Sequence, residues 1–149
     1  MKQAHTFVTQ LKLTLVVFGD PFNPIDFTKD IGVEPSDSWL KGDLIDTYME
    51  LRKGKSMQKR KESAWEYSIG FISSLDFSEL TLQFERIFEG KTGAIKKYVE
   101  NNQLEVTVNA VIEIANGETP SLNLSKEFIS FIHDLGAELD FDLYLLEDE

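Results

Sequence analysis

The chain has 149 residues, a formal charge of −11, 42% hydrophobic and 11% aromatic residues, and no cysteine. That composition suits one domain over residues 1–149, built on an aromatic-rich core, and excludes wholesale disorder. It removes disulfides, thiol nucleophiles and cysteine-based metal sites, and the negative charge disfavours nucleic acid or any other polyanion as a partner.

No stretch approaches the ~20 apolar residues of a membrane span. Neither Met1–Phe7 nor the apolar run Leu13–Phe18 has the make-up of a secretory signal. The expectation is a cytoplasmic protein with no membrane partner. An acidic surface of this size serves solubility, or meets a basic partner.

Phe7–Phe18 reads as the first strand, with Leu11, Leu13, Leu15 and Val17 on one face and Gln10, Lys12 and Thr14 on the other. Asn23 caps a short helix that has Pro24 at its first position and Gly32 at its exit. Beyond Pro35, Ser38–Asp43 reads as a weaker strand or a turn. Residues 46–62 are the most polar piece, and within them the ten residues 52–61 hold Arg52, Lys53, Lys55, Lys59, Arg60 and Lys61 and no acid. This is expected to be a long exposed connection between hairpin strands. It lacks the interleaved aromatics that stack on bases, so a solvated loop is the simpler reading than a nucleic-acid site.

Trp65, Tyr67, Ile69 and Phe71 alternate with polar or small residues, which predicts a strand with an aromatic inner face. Asp76 and Glu79 have capping-box spacing before a helix whose apolar stripe is Phe77, Leu80, Phe84, Ile87 and Phe88. A second short helix follows Gly90, carrying Ile95, Tyr98 and Val99. Leu104–Ile114 is the longest clean strand pattern, turned by Asn116-Gly117. Ser125 caps the last helix, Leu124 and Ile129 hold staple positions, and Gly136 ends it. The closing stretch Ala137–Leu145 alternates again, with Glu138, Asp140, Asp142 and Tyr144 opposite its apolar residues. The expected fold class is α+β: a mainly antiparallel sheet with helices packed on one face, and a ferredoxin-like core with an added helix and strand.

Candidate chemistry is sparse. Glu138, Asp140 and Asp142 form a row spaced about 6.5–7 Å along one strand face. Such a row suits solvation or a partner better than a cation or acid–base pair, both of which need groups converging from several elements. A cross-strand lysine such as Lys12 is the expected relief of its repulsion. Gly90-Lys91-Thr92 resembles the tail of a phosphate loop, but Glu85 stands where that loop needs glycine. His5 and His133 make no metal motif, and no nucleophile elbow is present. No cofactor is implied.

Several segments taken together do carry a resemblance. They are Asn23-Pro24 with Thr28-Lys29, Ile31-Gly32-Val33-Glu34-Pro35, Trp39-Leu40-Lys41-Gly42-Asp43, Ser63-Ala64-Trp65, and Leu135–Tyr144. Their order and spacing resemble a mostly bacterial, uncharacterised family, domain of unknown function 4279, from about Phe7 to Tyr144. The resemblance implies a single small α+β domain with no assigned activity, so no catalytic residue is carried over. The basic insert between Asp43 and Ser63 is more elaborate than the family pattern requires. If the segments around Trp39 and Trp65 pair as a hairpin, then Trp39, Lys41, Asp43 and Trp65 come close enough to outline a ligand pocket.

Two functional readings follow. The leading one is a non-enzymatic cytoplasmic binding protein that neutralises a basic protein partner, as an immunity protein does, with Glu138, Asp140 and Asp142 among its contacts. The alternative is a small-ligand protein or enzyme built around Trp39, Lys41, Asp43 and Trp65, with the basic loop as a lid. A free sheet edge or an apolar patch would allow a homodimer.

Overall fold

A computed structural model describes residues 7–45 and 58–147. In chain order the elements are β1 (Gln10–Gly19), α1 (Pro24–Ile31), β2 (Asp37–Trp39), β3 (Ser63–Ser68), β4 (Ile72–Ser73), α2 (Phe77–Ile87), α3 (Thr92–Asn101), β5 (Glu105–Ala115), α4 (Lys126–Leu135) and β6 (Glu138–Leu146). The fold is α+β, as expected. The strands make one sheet in the order β2-β3-β1-β5-β6, with β4 paired to β1 beyond the end of β3. Every pairing is antiparallel except β5 with β6, which is parallel because α4 carries the chain back across the sheet.

The period-two patterns decide which face is covered. Leu11, Leu13, Leu15 and Val17 of β1, and Val106, Val108, Ala110 and Ile112 of β5, are buried in one cluster. All four helices of the described residues press into it: α1 through Phe27 and Ile31, α2 through Phe77, Leu80 and Phe84, α3 through Ile95 and Val99, and α4 through Phe128, Phe131 and Leu135. The alternate residues, such as Lys12, Thr14 and Val16, lie on the opposite face and stay half-exposed. Among the described residues, one face of the sheet is therefore open. Among the described residues no helix is long and apolar enough to cross a membrane.

Helix ends follow the caps written into the sequence. The Asn23 side chain accepts the Ile25 N–H, and Ser125 accepts that of Phe128. Gly136 adopts φ 67°, which lets the Ala137 N–H close on the Ile132 carbonyl at 3.1 Å. The capping box at Asp76 is relayed rather than direct. Asp76 accepts from the Ser78 N–H, while the Ser74 hydroxyl accepts the Asp76 N–H and donates to Glu79 at 2.9 Å.

The aromatic strand departs from its sequence pattern. β1 has two residues between Leu11 and Thr14, whereas their partners Ile72 and Ser68 are separated by three. The extra residue makes a bulge at Gly70, at φ 82°, and reverses which residues face inward. Ile72 thus pairs towards the core. Phe71, expected inside, is 40% exposed and lies beneath the Lys12 ammonium on the open side.

Glu85 on α2 is the one described residue with a buried side-chain oxygen lacking a hydrogen-bond partner. Burial, and then the nearby Glu127 carboxylate, raise its pKa above the ordinary 4.5. A carboxyl raised in the folded state binds its proton more tightly there than in the unfolded chain. Its destabilising effect is therefore full above the raised value and disappears as pH falls towards 4.5. Glu85→Gln is expected to stabilise the fold by roughly 0.5–1 kcal/mol at neutral pH. The gain should shrink on acidification, read as the difference in thermal midpoint between the two proteins.

Candidate functional site

The open sheet face holds both candidate sites, at opposite ends. At the β6 end, Glu138, Asp140 and Asp142 stand in register with Thr107, Asn109 and Val111 of β5. All three acids are exposed. Lys12 pairs with Val111, so a full strand separates it from Asp142, and it sits over the Phe71 ring at 4.8 Å. It is not the cross-strand neighbour that the sequence suggested. Glu113 lies on the same face and accepts from Gln10, while Glu105 and Glu66 extend the negative charge across β5 and β3. Glu66 faces Asp37 across the β2–β3 pair. Burial first, and then Asp37, raise the Glu66 pKa, with Arg60 and Lys12 opposing them. Among the described residues the only ion pair is Lys41–Asp20, so the β6 acids stand without a basic partner there. No three acid or histidine side chains among those residues are grouped closely enough to share a cation. His133 is exposed in the last turn of α4, and His5 lies outside the described residues.

The Trp39 and Trp65 segments do pair, with Ser38 opposite Trp65 and Trp39 opposite Ala64. That register is what keeps the two tryptophans apart. Residues adjacent along a strand face opposite ways, so Trp65 enters the core and Trp39 lies on the open face. Trp65 is fully buried, meets Phe27 edge to face at 5.0 Å, and donates from Nε1 to the Thr28 hydroxyl at 3.0 Å. Lys41 and Asp43 shape the intervening turn. The Asp43 carboxylate accepts the Leu40 N–H, and the Lys41 N–H donates to Ser63 Oγ, both at 2.8 Å. The Lys41 ammonium binds Asp20 at 2.6 Å; that hydrogen bond, with the attraction of the carboxylate, raises its pKa. Of the four residues, Trp39 lines the pocket at this end of the open face and the other three do not.

This pocket has a volume of about 310 Å³. Its floor is Val16, Phe18 and Ala64, on the open faces of β1 and β3. Its far wall is a short arm in which Leu44 pairs with Lys59 and the Ile45 N–H donates to the Gln58 carbonyl. Lys59, Arg60 and Lys61 follow along that arm, and the Arg60 guanidinium stacks 3.8 Å from the centre of the Trp39 ring. Arg52, Lys53 and Lys55, the rest of the basic run with its expected lid, lie outside the described residues. Sequence reasoning missed Phe18 and Ala64 as site residues. The signal for them was the pairing register, which places small Ala64 between two aromatic rings.

No curated protein and no solved structure matches this chain. The profile of one family, described as a domain of unknown function (DUF4279), matches residues 9–146, a span that takes in every described strand and helix and both ends of the open face. The chain belongs to that family.

Proposed function

We propose that this is a non-enzymatic binding protein whose open, acidic sheet face docks a basic protein partner, in the manner of an immunity protein. The observation that carries this reading is the carboxylate row of β6, without an ion pair among the described residues and continued by Glu113, Glu105 and Glu66 on a face that no described helix covers. Like charges held side by side are costly, and a set of lysines or arginines from a partner relieves that repulsion while steering encounter. Glu66 has the same character, since burial and Asp37 both disfavour its charged form. A reducing bacterial cytoplasm is the setting that agrees with a chain lacking cysteine.

The test compares the immobilised protein with its Glu138→Gln/Asp140→Asn/Asp142→Asn variant in extracts of the source cell. The proposal expects a basic protein to be retained by the first, lost on the second, and released by moderate salt. Equal retention by both, or no specific basic protein on either, would overturn it.

A further inference from the structure

We propose that the pocket between Phe18 and Trp39 is a binding site for a small organic anion with a flat, apolar body. Three features of the open face converge on this ligand class.

The first is shape. Phe18, Ala64 and Trp39 form one cross-strand row over β1, β3 and β2. A methyl group between two large rings leaves a slot, and Val16 continues its apolar floor. Ala64 is only 2% exposed, so its methyl group lies at the bottom of the slot, flanked by the neighbouring side chains. The second is size. About 310 Å³ lies at the lower end of the range for small-molecule sites and accommodates a bicyclic aromatic.

The third is charge. The chain as a whole carries −11, yet three consecutive cations, Lys59, Arg60 and Lys61, line this one pocket, against the single carboxylate of Glu62. Lys59 and Lys61 form no ion pair among the described residues. The Arg60 guanidinium already sits over the Trp39 ring, a cation–π contact on that wall. A ligand with its ring in the slot meets the ammonium groups only if its charged end points out along the arm. A carboxylate one bond from a fused ring has that form.

The probe is 2-naphthoate, titrated calorimetrically beside the neutral 2-naphthylmethanol and the cationic 2-naphthylmethylamine. We expect naphthoate to bind with a dissociation constant of about 0.1–1 mM, ordinary for a ligand of that size. The alcohol should bind more weakly and the amine weakest. Lys59→Gln/Lys61→Gln should weaken naphthoate about fivefold and leave the alcohol unchanged, the size expected of two rim charges. Ala64→Leu should abolish binding of both by filling the slot. Trp39→Ala, on the exposed side of the sheet, gives the same reading if the leucine variant fails to fold. No naphthoate binding at about 5 mM, ten times the middle of that range, would overturn the proposal. So would amine binding as tight as naphthoate, or a charge-neutralised rim that leaves naphthoate affinity intact. None of these outcomes depends on the β6 acids, so they are distinct from failure of the partner-docking reading.

Discussion

Trp65→Ala is expected to lower stability by about 3–5 kcal/mol and the thermal midpoint by roughly 10 °C or more. The residue is fully buried and lies where three elements meet. Its ring packs edge to face on Phe27 of α1 and on Phe88 just after α2, and stacks with Tyr67 of its own strand. Its Nε1–H holds the Thr28 hydroxyl, which in turn donates to the Pro24 carbonyl in the first turn of α1. Alanine would remove the ring, leave a cavity and free α1 from β3. Trp65→Phe keeps an aromatic ring in the core but loses the hydrogen bond and part of the indole volume, so it should cost less than the alanine change, about 1–3 kcal/mol. Denaturant unfolding of the three proteins checks the order. A cost below about 2 kcal/mol for the alanine variant would mean that α1 is held to the sheet by other contacts.

The second large effect concerns binding. Reversing the row as Glu138→Lys/Asp140→Lys/Asp142→Lys is expected to weaken the association with a basic partner about a hundredfold or more, chiefly through slower encounter at low salt. The fold should tolerate the change, because all three side chains are exposed and make no ion pair among the described residues. Surface plasmon resonance at two salt concentrations separates the outcomes. Loss of affinity that disappears at high salt supports the docking face, and an unchanged association rate removes it.

The fold was legible in the sequence wherever burial alone decides structure. β1 and β5 are central strands with one covered face, so their alternation maps directly onto the core. The caps at Asn23, Ser125 and Gly136 are local chemistry and need no tertiary context. The alternation through Phe71 misled, because a one-residue bulge leaves no mark in hydropathy beyond a glycine. The last strand was half legible. Leu139 and Phe141 pack on the core, but Leu143 is 60% exposed and Leu145 is 77% exposed, beyond the cover of the helices. Apolar alternation shows that a face exists, not how far its neighbours reach.

The candidate sites were less legible for a different reason. Trp39 and Trp65 were rightly placed on paired segments, yet a shift of one residue in register decides whether two side chains share a face or oppose each other. Register comes from the turn that Asp43 and Ser63 brace, and spacing along the chain does not reveal it. The pocket depends on Ala64, whose contribution is the volume it leaves empty.

Among the described residues β6 ends the sheet, and one rim of this nine-residue strand pairs with no other strand there. A free rim next to exposed leucines is a template for stacking copies into fibrils. In this chain the alternate carboxylates oppose that outcome. An antiparallel self-pairing centred on Asp140 sets Asp140 against its own copy and Glu138 against Asp142. The same three acids that suit a cationic partner thus guard the molecule against polymerising with itself.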